Sequence, residues 1–258
     1  MEKTKAMTTT TMNSLPTTQV GNARWPWIML FARTVLFAGW QAVIAMIYVL
    51  LGSTSAWTAA AAWWPLTATL TNIVCLIVLS KLFQREGRRY RDLFRIRRDT
   101  LKVDLLILCG ALIISGPISY LPNPISAQWL FGSADGPMSL FVQPLPLVAA
   151  IILIVIFPIS NGLAELPTYF GYVQPRLVPQ IGRMGAVIVT GLMLAFQHAT
   201  LPLLFDARFI AWRLIMFVPF GLFMSALLRW RPQLLPYTVV VHVLIDASVG
   251  YFVLAAAS

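Results

Sequence analysis

The stretch LVAAIILIVIFPISNGLAELPTYFGYVQPRL, Leu147 to Leu177, decides how the whole chain is read. Its first half, Leu147 to Ile159, is apolar enough for the inside of a membrane. Glu165 then follows at bilayer depth, with Pro167 two residues later. A carboxylate there costs about 2.5–3.5 kcal/mol on insertion scales, so either a partner offsets the cost or a task explains it. Pro167 sharpens the question. Inside a helix it deprives the Leu163 carbonyl of its usual donor and bends the axis. Non-ideal backbone at membrane depth is tolerated only against protein or a water-filled cavity.

The surrounding sequence supports a membrane setting. Of 258 residues, 59% are hydrophobic and 11% charged, against about 25% charged in a typical soluble domain. The expected fold is all-α, a polytopic membrane bundle of about seven helices, since a spanning helix needs about 20 residues. The apolar stretches run over 25–51, 56–80, 103–121, 144–172, 183–203, 209–228 and 233–257. Residues 1–24 read as a disordered, Thr-rich polar tail, leaving 25–258 as a single transmembrane domain. The first apolar run is too long for the apolar core of a signal peptide. Cys75 and Cys109 fall inside spans and are expected as packed thiols.

Charge gives the orientation. The net charge of +10 is concentrated between Lys81 and Lys102 and in the other loops of the same side. Of the 19 Lys and Arg residues, only Arg33, Arg208 and Arg213 fall elsewhere. That pattern is a positive-inside signal and not a nucleic-acid footprint. It places the chain in the cell membrane with its N-terminus cytoplasmic and Leu121–Pro146 outside, as an interfacial loop. Arg208, Asp206 and Arg213 are expected to snorkel at the outer end of the sixth span. Membrane lipids are therefore expected partners, and the basic loop offers them a surface.

The ionisable groups within the last four spans are few. Glu165 lies in the fourth span, His198 in the fifth, and His242 and Asp246 in the seventh; the chain has 2 histidines in all. At 1.5 Å per residue, Glu165 and His198 lie about 18–23 Å from the turn that joins their spans. His242 and Asp246 lie about 16–22 Å from Arg231 by the same measure. Three spans thus carry polar groups in one layer, and the spacing of four puts His242 and Asp246 on one helix face. Such a set suits amide hydrolysis. A buried carboxylate beside a His can take a proton from water, and a second His with an acid can face the oxyanion. Zinc held by Glu165, His198 and His242 is a second chemistry open to the set, although the short motif with two histidines on one helix is absent.

The sequence ELPTYFGYVQPRL, the His of the next span and HVLID in the last resemble the CAAX-protease and bacteriocin-processing family of intramembrane endopeptidases. That family shows Glu-Glu-x-x-x-Arg-Gly-Tyr running on into Pro-Arg-Leu, then Phe-x-x-x-His, then His-x-x-x-Asn or Asp. Gly171, Tyr172, Pro175, Arg176 and Leu177 set the register, which aligns Glu165 with the first glutamate. The resemblance implies that Glu165 and His198 activate water while His242 and Asp246 serve the oxyanion. It also implies a membrane-associated peptide or protein substrate. The second glutamate of the family is Leu166 here, its arginine is Phe170, and Leu194 replaces the Phe of the second motif. Losing acid and base together leaves no unpaired buried charge.

Two other functions remain open from sequence. The missing Glu and Arg suit a non-catalytic relative that binds a peptide or partner, in immunity or as a chaperone. Polar residues in several spans also suit a small transporter, though no internal repeat supports it. A retinal protein is excluded, because no lysine lies in the last span to form a Schiff base.

Overall fold

The computed structural model describes residues 23–257. The polar tail expected over 1–24 lies outside the described residues as far as residue 22. Among the described residues the structure is all-helical. The long helices are α1 (Arg24–Leu50), α3 (Trp64–Arg85), α4 (Leu101–Tyr120), α7 (Leu147–Leu166), α8 (Gln174–Ala199), α9 (Ala207–Trp230) and α10 (Leu235–Ala255). The short ones are α2 (Ala56–Ala61), α5 (Pro122–Phe131) and α6 (Met138–Phe141). The span expected over 56–80 is thus α2 followed by α3. Pro65 in the first turn of α3 is placed where a missing N–H costs nothing. The loop expected between Leu121 and Pro146 contains α5 and α6.

Six helical stretches are long and apolar enough to cross a membrane, with Leu147–Ala199 counted as one. That stretch does not run straight. Gly182, at φ 74° and ψ 169°, leaves helical geometry, and glycine is the residue that occupies such a conformation without strain. Gln174 Nε2 then donates to Thr190 Oγ1 at 3.2 Å, although a straight helix would hold these residues about 24 Å apart. The chain reverses at Gly182, so the stretch makes two passes and the bundle makes seven. Large apolar side chains such as Val35, Leu106, Ile113, Val148 and Leu244 are exposed on its outside. So much exposed apolar surface fits lipid and not water, and the chain is a multi-pass membrane protein.

One end of the bundle collects the arginines. Arg176 pairs with Glu86, Arg231 pairs with the buried Asp104 at 2.8 Å, and Trp27 Nε1 donates to Gln180 Oε1 at 2.9 Å. At the opposite end Gln41 Nε2 and Trp57 Nε1 donate to the Leu203 carbonyl, at 2.9 and 2.8 Å.

Two apolar clusters lie between these ends. One contains Leu30, Cys75, Ala164 and Leu194; the other contains Phe37, Ala68, Phe157 and Leu201. On each of four helices a polar residue falls between the two sets: Arg33 on α1, Asn72 on α3, Asn161 on α7 and Gln197 on α8. A polar layer therefore divides the apolar interior.

Candidate active site

The Pro167 bend positions the layer. Residues Pro167–Val173 form a π-helical segment between α7 and α8, a form frequent at functional sites. The carbonyl of Leu163, orphaned by the proline, accepts a hydrogen bond from the Tyr90 hydroxyl. Thr168 Oγ1 donates to Ala164 O at 2.6 Å. Two side-chain hydroxyls thus replace backbone pairing at the bend, and Glu165 lies two residues before Pro167.

Close helix approach brings α10 to α7. A Cβ at Gly162 would collide with Val243 and lie 3.2 Å from the Val239 carbonyl oxygen. Small residues permit such contact between membrane helices. The consequence is direct. His242 Nε2 stands 3.5 Å from Glu165 Oε1 and 3.2 Å from Asp246 Oδ2. Asn161, one turn before Glu165, donates from Nδ2 to Asp246 Oδ2 at 2.8 Å. Asp246 accepts here, so the geometry gives it the job of holding His242 and Asn161 in place.

Arg33 completes the layer, and its position was not legible from the resemblance. Its side chain is 0% exposed. Nη2 donates to Glu165 Oε2 at 3.2 Å and to Asn161 Oδ1 at 2.8 Å. Nη1 donates to Asn72 Oδ1 at 2.7 Å, and Nε donates to Gln197 Oε1 at 2.6 Å. A buried carboxylate needs a partner of this kind. The arginine absent at Phe170 is replaced, in charge, by one from the first span. A lone arginine inside an apolar run is itself a signal, and Arg33 shares a buried stripe of α1 with Phe37 and Gln41.

His198 belongs to the same layer but is held differently. Its Nδ1 lies 2.6 Å from the Leu194 carbonyl. A carbonyl only accepts, so Nδ1 carries the proton and Nε2 keeps its lone pair. The ring stacks on Phe217 of α9 with centroids 3.7 Å apart. Next to His198, the buried Gln197 is fixed by its oxygen, which accepts from Arg33 Nε and, at 3.3 Å, from the Tyr169 hydroxyl. Its Nε2 faces the Glu165 carboxylate without reaching full hydrogen-bond geometry among the described residues.

Two expectations change. Arg213 does not snorkel: it is buried, donates to the carbonyls of His198 (2.9 Å) and Leu201 (3.3 Å), and lies over the Phe217 ring. It closes the end of α8, where a cation and its donors satisfy the last carbonyls. Arg208 and Asp206 do sit at the helix start, with Asp206 Oδ1 accepting from the Arg208 and Phe209 amides. For zinc, no group of three or more His, Cys, Asp and Glu among the described residues is arranged to hold an ion. The Arg33 guanidinium already holds Glu165 Oε2, and a cation would be repelled there. The residues as folded do not fit a zinc ligand set of Glu165, His198 and His242.

No curated protein and no solved structure matches the chain. One protein-family model does, over less than half of its length but including Glu165, His198, His242 and Asp246. Residues 147–248 match the model described as Type II CAAX prenyl endopeptidase Rce1-like, and over that stretch the chain is similar to that family.

Proposed function

We propose that this protein is an intramembrane endopeptidase that hydrolyses a peptide bond of a membrane-associated peptide or protein. The observation that carries this reading is the juxtaposition of Glu165 Oε1 with His242 Nε2 inside the Rce1-like stretch, braced by Asp246 and Arg33. By the positive-inside rule the arginine-rich end, and with it the N-terminus, is on the cytoplasmic side of the cell membrane.

Glu165 and His198 hold the attacking water. Arg33 fixes Oε2, which leaves Oε1 as the base, and His198 Nε2 accepts the second hydrogen of the water. As the water oxygen attacks the scissile carbonyl carbon, its proton passes to Glu165. The carbon–nitrogen bond then breaks as the leaving amine takes that proton. Negative charge gathers meanwhile on the carbonyl oxygen. Gln197 Nε2, which faces the Glu165 side of the layer, is one donor for it, and His242 Nε2–H is a second once it turns from Asp246 toward the substrate. Donors preorganised for that oxygen are worth about 10²–10³ in rate each.

The test is cleavage of a fluorogenic peptide library by the wild-type protein in lipid, beside Gln197→Leu and Asp246→Asn. Gln197→Leu should lower kcat about 10²-fold with KM little changed. A library left wholly uncut by the folded wild type overturns the reading. One observation favours a second function. Arg33 neutralises Glu165 in the ground state, as a peptide-binding relative without catalysis would need. Such a protein would retain peptides in a pull-down and release none of them cut.

A further inference from the structure

Away from the polar layer, at the arginine-rich end, α8 and α9 enclose an open pocket of about 320 Å³. Its lining is Arg183, Met184, Val187, Ala226 and Arg229. Neither arginine has an acidic partner among the described residues, and Arg229 Nε is buried with no hydrogen-bond partner. Two cations around one cavity repel each other, and the topology signal that puts them on this side does not explain why Arg229 Nε is buried without an acceptor. An anion between them would.

The rest of the lining says which kind of anion. Met184, Val187 and Ala226 are apolar, and a free oxyanion gains nothing from them. Met184, Ile188 and Leu192 follow at intervals of four, which makes one stripe down α8. They are 69%, 42% and 41% exposed. The stripe leads from the pocket toward the membrane interior and is long enough to carry part of an acyl chain. Beside it Trp230 is exposed at the helix end, the level at which indoles sit in the headgroup region. The break at Gly182 also starts a fresh helical segment at Arg183, whose positive end adds to the two guanidinium groups.

We propose that this pocket binds the phosphate headgroup of an anionic phospholipid, with one acyl chain lying along Met184, Ile188 and Leu192. Basic pockets between membrane helices suit such headgroups. The site stands independently of peptide cleavage, since it shares no residue with the polar layer.

Native mass spectrometry of the full chain, with phosphatidylglycerol and phosphatidylcholine supplied in equal amounts, tests the assignment. The wild type should retain phosphatidylglycerol selectively. The double variant Arg183→Gln/Arg229→Gln should lose about tenfold or more of that retention, whereas Arg88→Gln/Arg89→Gln in the basic loop should keep it. Ala226→Trp, which fills the pocket and spares both charges, should also lose it and serves if the double variant does not fold. Equal retention by wild type and pocket variants overturns the proposal, as does an equal loss in the loop variant. Displacement of the lipid by inorganic phosphate at the same concentration would make the occupant a free anion and also overturn it.

Discussion

Two helix pairs form the walls of the polar layer, and they hold their histidines by different physics. On the α7–α10 wall, His242 is wedged among charges: Glu165, Asp246 and, through Asn161, Arg33. On the α8–α9 wall, His198 has a backbone carbonyl at one nitrogen and a phenyl ring against its face. Both walls depend on glycine. Gly162 lets α10 approach α7, and a Cβ at Gly191 would lie 2.9 Å from the Gly221 carbonyl oxygen of α9. The first wall is therefore an electrostatic assembly that fails when a charged side chain is cut away with its hydrogen bonds. The second is a packing assembly that fails when one shape is changed.

Removing Arg33 should break the first wall most severely. Arg33→Ala leaves Glu165 buried without its cation, a loss of about 3–5 kcal/mol, read as a lower unfolding midpoint in mixed micelles. The pair Arg33→Leu/Glu165→Leu should recover much of that loss, because no lone charge remains. A double variant as unstable as Arg33→Ala would show that Arg33 acts through its amide partners instead.

Gly221→Leu attacks the second wall through shape alone. It should cost about 1–3 kcal/mol or more, since backbone cannot retreat as a side chain can, and it should displace His198. Tyr90→Phe tests the bend that carries Glu165. The Leu163 carbonyl would lose its donor at a cost of about 1–3 kcal/mol, and activity should fall with no change in the residues of the layer. Phe217→Leu is the mildest. It removes the ring under His198, worth about 0.5–1.5 kcal/mol, and should raise KM or lower kcat only modestly.

The electrostatic wall was the more legible one in the sequence. Glu165, His242 and Asp246 stand out as charges in apolar runs, and a spacing of four fixes two of them on one face. The Pro167 bend was equally visible, down to the carbonyl it would orphan. Its donor was not visible, because Tyr90 comes from a basic loop that carries its own topological explanation. Arg33 stands out in the sequence as a basic residue in an apolar run, but its link to Glu165, 132 positions away, depends on α1 packing beside α7 and α8. Asn72, Asn161 and Gln197 are uncharged amides, and nothing in their spacing distinguishes a network member from an ordinary span residue. Arg213 was misplaced for a related reason. A cation near a helix end snorkels cheaply, and only the fold shows that the end of α8 offers it carbonyls instead. Seven passes were legible from the arginines near Arg183, while the reversal itself rests on the conformation of Gly182.

Cleavage by this protein requires Glu165 to act as a base inside the polar layer. The most direct test compares wild type with Glu165→Gln in lipid nanodiscs, following release of cleaved peptide and matching samples by unfolding midpoint. The amide keeps the shape of the side chain and can still accept from Arg33, so the fold should persist while cleavage disappears. A folded Glu165→Gln variant that cuts as fast as wild type would contradict the account.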